Sequence, residues 1–123
     1  MIKDYDIDTI LRHGLELAHH PAPSEGHYHV AVENFEGSYG CSPEVFSRIW
    51  DEIEVDTAGA CLAHLFWIMN YLKEYPKIKQ LKQFFRASAT TLRFWIQIFT
   101  KAIAELAKEL VSLLPSIVLL YMN

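Results

Sequence analysis

Residues 88–110 read SATTLRFWIQIFTKAIAELAKEL. With Leu92 at zero and an advance of 100° per residue, Leu92, Trp95, Ile96, Phe99, Ile103 and Leu106 fall within about 60° of a common centre line. Thr90, Arg93, Gln97, Lys101 and Lys108 gather on the other side, between about 100° and 180°. An apolar stripe for a core and a polar, positive stripe for solvent is the signature of an amphipathic helix, and Ser88 is a suitable cap for its start. The pattern predicts a helix from Ser88 that reaches Leu110.

Working back toward the N-terminus, helical spacing recurs. Residues 77–85 direct Ile78, Leu81, Phe84 and Phe85 inward and leave Lys79, Lys82 and Gln83 outside. Residues 60–75 repeat Leu62, Leu65, Phe66, Met69 and Leu72 at three- and four-residue spacing, and Pro76 marks the stop. Ser42 followed by Pro43 is an N-cap with proline at the first helical position, and Val45, Phe46, Ile49, Trp50 and Ile53 form the apolar face behind it. Residues 7–18 show a weaker period, with Gly14 against a helix. The following HHPAPSEGHYH segment reads as a loop. The expected architecture is all-α: a small helical bundle containing a helix-turn-helix, with a flexible N-terminal arm. Residues 1–40 are the mobile arm, 41–110 the helix-turn-helix domain and 111–123 an apolar tail.

A chain of 123 residues, 51% of them apolar, suffices for one compact domain with a real core. Cys41 and Cys61 lie twenty residues apart without a CxxC pairing, so they read as small buried apolar residues in a reducing compartment. The N-terminus lacks the basic start and apolar core of a signal peptide. The apolar run from Leu110 to Met122, which contains Pro115, falls short of the roughly 20 residues needed to span a bilayer. Its Leu113, Leu114, Ile117, Val118, Leu119 and Leu120 need burial, either against the core or by self-association.

Charge is distributed unevenly. Residues 1–56 carry three bases against twelve acids, and residues 57–123 carry eight against three. The stretch from Tyr75 to Lys101 holds six bases, Lys77, Lys79, Lys82, Arg86, Arg93 and Lys101, and no acid. An overall net charge of -4 therefore conceals a local surface suited to a polyanion.

A short helix, a tight turn and a longer helix with polar residues near its start is the helix-turn-helix arrangement, whose second helix fits the major groove. In that geometry Arg93 would grip guanine O6 and N7, and Gln97 adenine N6 and N7. Thr90 and Thr91 would bond phosphate or touch a thymine methyl, Lys101 would extend the reading face, and Lys77, Lys79, Lys82 and Arg86 would contact phosphates. The bland alternative is a solvated basic hairpin on a protein-interaction module. The absence of acids coinciding with the turn and the aligned face favours DNA.

No catalytic residue is assigned, because no nucleophile with an aligned base and no glycine-rich phosphate loop is present. No cofactor or metal site is expected either. His19, His20, His27 and His29 lie on a Pro/Gly segment without ligand spacing, and Asp51, Glu52, Glu54 and Asp56 read as a solvated helix end. His64, on a helix among apolar residues, reads as structural or partly exposed rather than catalytic.

The strings YGCSPEVFSRIW from Tyr39, HLFWIMNYLKEYP from His64, SATTLRFWI from Ser88 and AIAEL from Ala102 resemble the N-terminal helix-turn-helix region of DDE-superfamily transposases, in particular PIF/Harbinger-like elements. The resemblance implies a DNA-binding segment derived from a transposable element, with double-stranded DNA as partner and the nucleus as its place. In that family the segment precedes an RNase H-like domain whose two aspartates and a glutamate hold two metals. Residues 107–123 contain Glu109 as their one acid, so the resemblance implies no transposase activity for this chain. No Lys/Arg-rich import run accompanies the nuclear expectation.

Overall fold

The computed structural model describes the backbone of residues 3–122 and the side chains of residues 3–109. Among these residues six helices follow in order: α1 (Ile7–Leu17), α2 (Tyr28–Tyr39), α3 (Pro43–Glu52), α4 (Leu62–Glu74), α5 (Ile78–Phe85) and α6 (Ala89–Met122). Among the described residues there is no strand. The protein is a small all-α bundle.

Local chemistry sets the helix ends. The Asp6 carboxylate accepts the Thr9 N–H at 2.7 Å and starts α1. The Ser42 hydroxyl accepts the Val45 N–H at 3.2 Å and starts α3, with Pro43 in the first turn. Lys3 reaches the far end of α3, where its ammonium donates to the Trp50 and Ile53 carbonyls and sits 4.8 Å from the Trp50 ring centre. Helix α4 ends on Tyr75 in the left-handed region (φ 49°), immediately before Pro76. In α5 the Gln80 side chain accepts the Lys77 N–H at 3.0 Å. Arg86, also left-handed (φ 54°), ends α5, and Ser88 caps α6 by accepting the Thr91 N–H at 3.2 Å.

The core is aromatic. Phe46 of α3 stacks on Phe66 of α4 with ring centres 4.2 Å apart, and Phe35 and Tyr39 of α2 pack edgewise around the pair. All four rings are essentially inaccessible. Burying each is worth about 2–3 kcal/mol.

The first forty residues are not a mobile arm. Ile10, Leu11 and Leu15 of α1 and Phe35 of α2 are wholly buried, and α1 packs on both α2 and α3. Gly14 makes this contact: a Cβ there would stand 2.4 Å from Phe35 and 2.8 Å from Phe66. The residue that weakened the sequence case for a helix is the one that lets two rings approach α1. The Tyr39 hydroxyl then donates to the Gly14 carbonyl at 2.6 Å. The Pro21–Pro23 segment is a connection between two core helices.

Two further expectations need correction. The last helix does not stop at Leu110, since its backbone runs on to Met122. Self-association through Leu113 to Leu120 concerns side chains outside the described residues. Nor is Cys61 buried: it is exposed, while Cys41 is half-buried with its thiol pushed up to about 11 by burial and by Glu36. Both thiols are free. Among the described residues no helix is long and apolar enough to cross a membrane.

Candidate nucleic-acid interface

Helices α5 and α6 are joined by Arg86, Ala87 and Ser88. The apolar residues at the joint fix it: Leu81 and Phe85 of α5 and Leu92, Trp95, Ile96 and Phe99 of α6 are all buried. Trp95 is held in turn by the His64 imidazole of α4, stacked on it at 4.0 Å between ring centres and 14° between planes. With that side of α6 committed to the core, the opposite side faces water. Thr90, Arg93, Gln97 and Lys101 are exposed on it. Lys79 and Lys82 are exposed on α5, Lys77 at its start and Arg86 at its end.

Thr91 departs from this set. It is exposed, but its hydroxyl accepts from the Ser88 hydroxyl at 2.8 Å while its amide is capped by the same oxygen. It also lies about 100° around the helix from Thr90. Thr91 serves the start of α6 and is not part of the exposed row. Phe94, half-exposed at 49%, borders the row instead.

Among the described residues none of the bases on α5 and α6 forms an ion pair; the one ion pair there is Arg12 with Asp8, at 2.7 Å on α1. Acids do approach one end of the face. Lys101 shares a shallow depression with Glu54, Asp56 and Glu105. One turn further along α6, Glu105 and Glu109 line a second depression with Glu52 and Glu54. The acid-free run of the sequence is thus bordered in space, at its Lys101 end, by the acidic end of α3.

The histidines are dispersed over separate partners. The His19 ring bonds the Phe84 carbonyl at 2.7 Å, His20 lies 3.3 Å from the Ser38 hydroxyl, and His27 is 3.2 Å from the Ser24 hydroxyl. Among the described residues no group of three or more His, Cys, Asp or Glu is placed to hold a metal. His64 is buried, accepts the Cys61 N–H on Nδ1 at 3.2 Å and has its pKa lowered to about 4 by desolvation. Its acceptor nitrogen caps α4, which leaves it no lone pair with which to act as a base toward the Cys61 thiol 3.7 Å away.

Sequence reasoning missed a second feature. A cleft of about 380 Å³ opens between α1, α2, α4 and α5, lined by Ala18, Ser38, Asn70, Glu74, Leu81 and Phe84 among others. The one clue in the sequence is that Asn70 and Glu74 stand one turn apart, with Asn70 inside the apolar run from Leu65 to Leu72.

The chain matches no known protein family, no curated protein and no solved structure.

Proposed function

We propose that this chain is a DNA-binding helix-turn-helix module of the kind that precedes the catalytic domain of DDE transposases, acting in the nucleus as a binding unit without catalysis of its own. The observation that carries the reading is the exposed row Thr90, Arg93 and Gln97 at the start of α6, flanked by Lys77, Lys79, Lys82 and Arg86 and free of ion pairs among the described residues. Helix α6 enters the major groove with Arg93 and Gln97 toward base edges, and the α5 bases hold phosphates on either side. Lys101, next to Glu54 and Asp56, contacts the backbone at the margin.

Amide chemical-shift mapping of the full chain with a mixed-sequence duplex tests this. Shifts concentrated on α5, the connection and the first turns of α6 are expected; shifts confined to α1 and α2 would contradict it.

A helical protein-interaction module is the second reading. It is favoured by Tyr75, 74% exposed, and by Phe94, which stands outside the core beside the polar row. Such binding would persist at high salt, whereas phosphate contacts would not.

A further inference from the structure

We infer that the cleft between α1, α2, α4 and α5 is a binding site for a small primary amine carried on an apolar body. This inference is independent of the DNA reading. The walls supply the apolar part: Ala18 from α1, and Leu81 and Phe84 from α5. Phe84 is held in place from outside, because the His19 ring packs edgewise on it at 5.3 Å and bonds its carbonyl.

The polar groups select the head. Asn70 is 7% exposed, and its Nδ2 donates to the Ser38 carbonyl at 2.9 Å. That bond fixes the orientation of the carboxamide, so Oδ1 is left as an acceptor without a hydrogen-bond partner among the described residues, on a residue that lines the cleft. Glu74 lies one turn further along α4 and makes no ion pair among the described residues. A carbonyl oxygen and a carboxylate on one helix face match the N–H donors and positive charge of an ammonium group.

The backbone adds the same sign of field. Ala18 ends α1, Ser38 lies in the last turn of α2 and Glu74 is the last residue of α4. Three helix C-termini, each carrying partial negative charge, therefore meet at the cleft. The start of α5 also faces it, but there Gln80 already accepts the Lys77 N–H. His20 lines the cleft beside the Ser38 hydroxyl. An anionic head would meet Glu74 and three negative helix ends. The volume suits a single-ring molecule.

Three probes with one body and different heads test the inference by amide chemical-shift titration of the full chain: phenethylamine, 2-phenylethanol and phenylacetate. Phenethylamine is expected to bind with a dissociation constant on the order of a millimolar, as about nine non-hydrogen atoms can support. It should shift Ser38, Asn70 and Leu81 and bind about tenfold tighter than phenylacetate. Glu74→Gln changes an exposed side chain and should bring phenethylamine down to the affinity of 2-phenylethanol, leaving the alcohol unchanged. Ala18→Leu should abolish binding of all three by filling the cleft. Phenylacetate binding as tightly as the amine, shifts confined to other surfaces, or no saturable shift with phenethylamine would overturn the inference.

Discussion

The His64 imidazole lies flat against the Trp95 indole, with 4.0 Å between ring centres, and so ties α4 to the helix that carries the exposed basic row. The same ring accepts the Cys61 N–H and starts α4. One neutral histidine therefore secures two helices, and protonation removes the Nδ1 acceptor that starts α4 and places a charge in a buried site. Its folded-state pKa of about 4 lies below the usual 6.5 for a free histidine. Below about pH 6.5 the unfolded chain takes up a proton that the folded chain refuses, so stability is full above that value and is lost as pH falls toward 4. Urea unfolding at pH 7 and pH 4.5 should differ by about 1–2 kcal/mol from this group after solvent screening. His64→Gln should remove that part of the difference.

Gly14 is where helix propensity and packing oppose each other. Alanine gains about 1 kcal/mol over glycine in a helix interior. A Cβ at 2.4 Å from Phe35 and 2.8 Å from Phe66 forces two packed rings to move, at about 1–3 kcal/mol. Gly14→Ala should therefore be destabilising overall, by up to about 2 kcal/mol in chemical denaturation. A stabilised variant would mean that α1 does not dock as described.

The buried Tyr39 hydroxyl and the Gly14 carbonyl share a hydrogen bond of 2.6 Å. Tyr39→Phe keeps the ring and leaves that carbonyl with the Ala18 N–H alone, which should lower stability by about 1 kcal/mol through the lost hydrogen bond. Thermal unfolding of the variant beside the parent chain measures this. Burial also raises the phenol well above its ordinary value, so the hydroxyl remains protonated across the neutral range.

These two contacts also show where the sequence was readable. The Ser42–Pro43 start and the Ser88 cap were legible because a cap is a local device, set within three residues. Helix α2 was not, because its buried seam is only Ala31, Phe35 and Tyr39, at strict four-residue spacing beneath a largely polar surface. Left-handed Gly40 (φ 78°) after that seam was the available signal for its end. The exposed row on α6 was legible because it lies on one helix. The acids beside Lys101 and the cleft around Asn70 were not, since each joins residues from distant parts of the chain.

Arg93 and Lys79 should fail in different ways. Arg93→Ala removes a contact to base edges, so discrimination between duplex sequences should fall by about 1–3 kcal/mol at one position. Lys79→Ala should weaken all duplexes alike and make the salt dependence shallower by about one unit. Competition titrations with a small duplex library distinguish the two, and identical behaviour of both variants would remove α6 as the reading helix.

Truncating the N-terminus would strip Ile10, Leu11 and Leu15 from the core, so the decisive test uses the full chain. The measurement is fluorescence anisotropy with a mixed-sequence duplex over a salt series. Phosphate contacts from Lys77, Lys79, Lys82, Arg86 and Lys101 should give a log–log slope of about -4.5, from roughly -0.9 per phosphate. A folded, helical sample that binds no duplex at low salt, or binds without a salt slope, would contradict the account.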